Sequence, residues 1–133
     1  MELLECTKEE FDYYKETFLT LSTWNPIFEF ESLSILKKIE VNGEIVALLE
    51  FSGSMYGEHS IEIDNFEVFE KGKGIGSKVV DGIKEYFTGY ELYLYSSSPE
   101  SDAFWKKHGF KSLDDGTGTG ILRFSKDEDE QPS

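Results

Sequence analysis

Lys71-Gly72-Lys73-Gly74-Ile75-Gly76-Ser77 gathers three glycines and two lysines into seven residues. Glycine leaves backbone N–H groups unobstructed by a Cβ. Behind this run, Ile75, Val79, Val80, Ile83, Tyr86 and Phe87 recur at the spacing of one apolar helix face. A helix beginning here aims its unpaired N–H groups and the positive end of its dipole at one point. Together with the lysine charges they make a seat for a phosphate or pyrophosphate. Two common phosphate sites are excluded by spacing. A nucleotide P-loop needs more widely spaced glycines closed by Lys-Ser or Lys-Thr. A dinucleotide fingerprint needs a third glycine where Ser77 stands.

The elements that must hold this seat are legible on both sides. Ahead of it, residues 61–68 alternate apolar and polar as a strand does, with Asn65-Phe66 breaking the phase. Beyond the helix, Glu91-Leu92-Tyr93-Leu94-Tyr95 reads as a short strand. Ser96-Ser97-Ser98-Pro99 then offers an N-cap hydroxyl and a proline at the first helical position. A helix over 100–108 follows, closed by Gly109.

Lys71-Gly72-Lys73-Gly74-Ile75-Gly76 resembles the acetyl-CoA loop of the GCN5-related N-acetyltransferases (GNATs), Gln/Arg-x-x-Gly-x-Gly/Ala, with Lys71 keeping the charge of the first position. Ala103-Phe104-Trp105-Lys106-Lys107-His108-Gly109-Phe110 resembles a second motif of that family, Ala-x-x-Phe-Tyr-x-x-x-Gly-Phe, slightly tightened. The resemblance covers about residues 40–125, and its small size and acidity are similar to some phage-encoded members.

This resemblance implies an α/β fold, a central mixed sheet with helices on both faces. It implies that strands 61–68 and 91–95 splay apart to admit the pantetheine arm of acetyl-CoA. The arm would meet backbone groups near Phe66 and Val68, with Ser98, Phe104 and Trp105 contributing from the second block. Lys71, Gly72, Lys73, Gly74, Ile75, Gly76 and Ser77 would hold the pyrophosphate. The implied reaction is direct attack of an amine on the thioester, which needs a base. Glu62 and Asp64 are the candidates, two residues apart on one strand face; Glu67 is expected on the opposite face. Many members carry a tyrosine at Trp105 that donates a proton to the departing thiolate, and indole cannot replace it. Another donor substitutes (a serine among Ser96, Ser97 and Ser98, or His108), the thiolate leaves unaided, or the protein binds acetyl-CoA without turnover. Two functions stay open: an N-acetyltransferase acting on a small amine or a protein lysine, and a non-catalytic acetyl-CoA-binding module.

Composition bounds the rest. With 133 residues, 38% of them hydrophobic and 15% aromatic, the chain has material for one core. One domain is expected over residues 1–125, as a monomer or homodimer, followed by a disordered acidic tail at 126–133. The single cysteine, Cys6, excludes an internal disulfide and suits a cytoplasmic setting. No apolar run is long enough for a membrane helix. A formal charge of −14 argues against nucleic acid as a direct ligand and favours a basic partner or substrate. His59 and His108 stand isolated, so no metal cluster is expected.

Toward the N-terminus, residues 3–6 read as a first strand, and Thr7 with Glu10 forms a capping box. Phe11, Tyr14, Phe18 and Leu21 give the following helix one apolar face, ended by Trp24-Asn25-Pro26. Residues 27–33 form a loop or short helix. Asn42-Gly43 turns a hairpin between 34–41 and 44–51. At the far end, 110–113 and 121–124 pair around a flexible glycine-rich loop.

Overall fold

The computed structural model describes residues 1–21, 23–24, 34–54, 56–96, 98–113 and 120–125. In chain order these form β1 (Glu2–Glu5), α1 (Lys8–Thr17), β2 (Ile35–Val41), β3 (Glu44–Gly53), β4 (Ser60–Val68), α2 (Ile75–Tyr86), β5 (Glu91–Tyr95), α3 (Pro99–Lys107), β6 (Lys111–Ser112) and β7 (Ile121–Phe124). The strands make one mixed sheet in the order β1-β2-β3-β4-β5-β7-β6. Only β4 and β5 run parallel, which a crossover through α2 permits. The expected short helix or loop at 27–33, the loop over 114–119 and the acidic tail at 126–133 lie outside the described residues.

Local chemistry explains most boundaries. The Thr7 hydroxyl accepts from the Glu10 N–H at 3.1 Å while the Thr7 N–H donates to the Glu10 carboxylate at 3.0 Å, so α1 starts on a complete capping box. Asn42 and Gly43 both have positive φ, 53° and 82°, the geometry that a two-residue hairpin turn requires. Ser98 caps α3 by accepting from the Ser101 N–H, and Pro99 fills the first turn. The apolar face expected to run on to Leu21 ends sooner. Helix α1 stops at Thr17 and Leu21 is exposed. The N–H groups of Thr20 and Leu21 donate to the Glu67 carboxylate rather than to carbonyls a turn earlier.

Two apolar clusters lie on opposite faces of the sheet. On one face Ala47, Leu49, Phe51 and Ile63 pack with Val79, Val80 and Ile83 of α2 and Trp105 of α3. On the other, Leu36 and Leu48 pack with Cys6, Trp24 and Phe11 of α1. Adjacent Ala47 and Leu48 thus belong to different layers, as strand alternation demands.

The phase break at Asn65-Phe66 is a β-bulge. Glu50 pairs with Asn65 and Phe51 with Ile63, leaving Asp64 as an extra residue on β4. Its consequence corrects the expectation for Glu67. Glu62, Asn65 and Glu67 pair with Ser52, Glu50 and Leu48, alternate residues of β3, and therefore share the α1 face. Glu67 lies on the same face as Glu62, because the bulge shifts the alternation by one.

Candidate active site

Strands β4 and β5 pair at only three positions, Ser60 with Glu91, Ile61 with Leu92 and Glu62 with Tyr93. Beyond them the strands part, and Ile63, Asp64, Asn65 and Phe66 face Leu94 and Tyr95 across an opening of about 120 Å³. The Phe69 N–H bonds back to the Val46 carbonyl on β3. By alternation, the backbone N–H and C=O of Val68 and Phe66 point away from β3, toward the open edge. A second hollow of about 240 Å³ continues along Phe66, Val68, Gly76, Phe104 and Trp105. A third, of about 290 Å³, ends at Gly72, Gly74 and Ser77. Shared lining residues join the three into one groove, from the α2 N-terminus to the gap between β4 and β5.

Helix α2 opens without a side-chain cap, because Gly74 occupies the N-cap position at φ 74°. Its first N–H groups are left for an external acceptor. A Cβ on Gly72 or Gly74 would meet only open space, while one on Gly76 would touch the Phe104 ring at 3.5 Å. Both lysines already have anionic partners. Lys71 bonds Glu67 at 2.8 Å and the Thr20 hydroxyl at 2.6 Å, and Lys73 bonds Glu70 at 2.9 Å. The Ser77 hydroxyl lies 3.1 Å from His108 Nε2, and Ile75 packs against the core.

At the other end of the groove the carboxyl groups of Glu62 and Asp64 adjoin, close enough to share one proton. Burial, then the bond and charge of Asp64, push the Glu62 carboxyl up to about 7. Asp64 also accepts from the Ser34 hydroxyl at 3.2 Å. A carboxylate poised near neutrality can take a proton from an ammonium and release it to water within one turnover.

No family profile and no curated protein sequence matches the chain. Solved structures do. An acetyltransferase from Thermus thermophilus aligns with a TM-score of 0.66 at 17% identity, over 92% of this chain and 94% of that one. A GNAT family acetyltransferase from Elizabethkingia anophelis with acetyl-CoA bound aligns at 0.52 and 18%, over 90% and 83%. A chain of the AtaT–AtaR complex bound to DNA aligns at 0.67 and 17%, over 92% and 91%. The chain has the GNAT fold. This likeness rests on the whole seven-stranded sheet and its helices, not on sequence identity.

Within this GNAT fold the sequence-derived candidates fall into three groups. Phe66, Val68, Lys71, Gly72, Gly74, Ile75, Gly76, Ser77, Phe104 and Trp105 all line the groove. Asp64 lines its far end, and Glu62 adjoins Asp64 without lining the groove itself. Ser98 is spent on capping α3, and Ser101, one turn later, lines the groove instead. Lys73 pairs outward with Glu70. His108, considered as a proton donor, sits beside Ser77 in the first turn of α2, at the opposite end from Asp64. Trp105 is buried among Phe66, Phe104 and Phe110, with ring centroids 5.7, 5.2 and 5.1 Å away.

The structure adds residues that the motifs did not announce. Glu67 is 3% exposed and accepts from the Thr20 N–H and hydroxyl, the Leu21 N–H, Trp24 Nε1 and Lys71 Nζ. Burial alone would raise its carboxyl, but the bonds from Lys71, Thr20 and Trp24 outweigh that and hold it at about 2. Asn65 bonds Thr23 and Glu50 alongside. Leu21 and Thr23, fixed in this way, wall the groove. The broken alternation at residue 65 was the available signal, since it moves Glu67 onto this face.

Proposed function

We propose that the protein is an N-acetyltransferase that moves the acetyl group of acetyl-CoA to a primary amine by direct attack. The observation that carries this reading is the divergence of β4 from β5 after Glu62 and Tyr93. It joins an uncapped helix N-terminus to a carboxylate pair through one groove. Residues 72–77 would take the pyrophosphate on backbone N–H groups. The open edge at Phe66 and Val68 would bond the pantetheine amides, and Phe104 and Trp105 would cover the apolar length of the arm. When bound, acetyl-CoA supplies an activated acyl carbon. The amine lone pair forms the N–C bond, the C–S bond breaks with its electrons on sulfur, and Glu62 accepts the proton leaving nitrogen, with Asp64 positioning it. Backbone N–H groups on the open edge of β4 are available to the charge developing on the thioester oxygen. A single cysteine, Cys6, suits a cytoplasmic setting, and the −14 charge disfavours nucleic acid as a direct ligand.

The test is titration calorimetry with acetyl-CoA, followed by thiol release in the presence of a panel of amines. Binding at micromolar concentration and amine-dependent release support the reading; no binding to the folded protein overturns it. One observation favours a second reading. Trp105 brings an apolar ring, and no acid, to the groove, as a binding module without turnover would. Acetyl-CoA binding with no thiol release for any amine would select that alternative.

A further inference from the structure

The bulge and the parting strands bring together side chains from three separate segments on the α1 face of the sheet. Tyr93, paired with Glu62, is buried, and its hydroxyl donates to Glu91 at 2.7 Å while also bonding Arg123. Its ring is thereby fixed as a floor. Tyr56, from the β3–β4 connection, stacks on it with centroids 4.5 Å apart and planes 17° from parallel. Tyr95 stands at the end of β5, two residues on from Tyr93, and lines the same opening as Asp64 and Trp105. Tyr95 and Tyr56 are 50% and 48% exposed. Beyond Tyr56 a further hollow of about 260 Å³ is lined by His59, Ser60, Tyr90 and Glu91.

We infer that these tyrosines and the Glu62–Asp64 pair form the acceptor site for a cationic amine on an unbranched aliphatic chain, a lysine side chain or an alkyl diamine, and select against amines that bear a neighbouring carboxylate. This rests on the acetyltransferase reading and specifies its acceptor. Two carboxylates attract an ammonium and repel the carboxylate of a free amino acid at like-charge range. Exposed tyrosine faces hold a cation and its methylenes without a formal partner. Arg123 pairs with Tyr93 across β5 and β7 on this same face and is engaged at the Tyr93 hydroxyl.

The experiment compares kcat/KM for Nα-acetyl-lysine amide, 1,4-diaminobutane and free alanine, with calorimetry of acetyl-CoA run separately. The expected result is a preference of at least about a hundredfold for the first two over alanine. Tyr95→Leu should raise the KM of the lysine amide about tenfold, Tyr95→Phe less than threefold, and neither should change acetyl-CoA affinity. Tyr95 is half-exposed, so both variants should fold, and thermal unfolding checks it. A protein that binds acetyl-CoA yet prefers alanine, or acetylates none of the three, overturns this inference while leaving the cofactor site standing. Equal losses in Tyr95→Leu and Tyr95→Phe would remove the ring from the selection. A folded protein that binds no acetyl-CoA overturns the underlying function instead.

Discussion

Glu62, the proposed base, lies in an environment that works against its charge. Burial and the adjacent Asp64 raise its carboxyl from 4.5 to about 7. Turnover limited by this base should rise with pH and level off above about 7, and Glu62→Gln should lower kcat by roughly 10²–10⁴-fold with acetyl-CoA affinity unchanged. The same shift has a cost in stability. A group whose folded pKa exceeds its unfolded one favours the native state while protonated and opposes it when ionised. That opposition is absent below about 4.5 and grows as pH rises through 7. Glu62→Gln should therefore melt higher than the wild type at pH 8 and equally at pH 4, by calorimetry. An inactive variant with no gain at pH 8 would contradict the buried-base assignment. Trp105 poses the complementary case. Among Phe66, Phe104 and Phe110 it contributes packing, so Trp105→Phe should cost about 1–3 kcal/mol in denaturant unfolding with little change in the chemical step. A large loss confined to single-turnover chemistry would give the indole a catalytic role.

Among the elements, the N-terminus of α2 is the proposed seat of the cofactor pyrophosphate, and Gly74 isolates it. Asn and Asp tolerate the left-handed conformation that Gly74 adopts at φ 74°, and they differ only in charge. Gly74→Asp should raise the acetyl-CoA dissociation constant at least about tenfold over Gly74→Asn, with equal melting temperatures. Equal affinities would remove the phosphate from this loop. Glu67 ties the neighbouring wall in place through five donors, so Glu67→Gln should destabilise the fold by about 2–4 kcal/mol. It should also weaken acetyl-CoA binding, because Leu21 then loses its anchor. Intact stability in that variant would show the clamp to be dispensable. These elements also mark what sequence could and could not disclose. The Asn42-Gly43 turn, the Thr7–Glu10 box and the Ser98-Pro99 start are legible because each is set by residues within four positions. The bulge at Asp64 is a matter of register with β3, so simple alternation put Glu67 on the wrong face. Lys71 meets Thr20 across 51 positions, and Tyr56 meets Tyr93 only once three strands are aligned.

For the whole molecule, the sheet itself divides the labour. The proposed phosphate seat lies at α2 and the groove under Phe104 and Trp105, on one face, whereas Glu62, Tyr93 and Glu67 look to the other. The gap between β4 and β5 is where the two faces communicate, so cofactor and acceptor can approach from opposite sides. They do so in the field of a chain with formal charge −14. That field attracts a cationic acceptor and repels the phosphates of acetyl-CoA, and salt screens both effects over about 10 Å at 0.1 M. In the proposed arrangement the cofactor's charge would be met at short range by backbone N–H groups, where screening is weak, while the acceptor would depend on the long-range field and on half-exposed groups. Raising ionic strength from about 0.02 to 0.3 M should therefore increase the KM of a lysine peptide several-fold. Acetyl-CoA affinity should stay level or improve slightly. Initial-rate kinetics across that range, with each substrate varied in turn, decide the matter. If the two constants move together, net charge does not steer the acceptor, and its selection rests on the contacts at Glu62, Asp64 and Tyr95 alone.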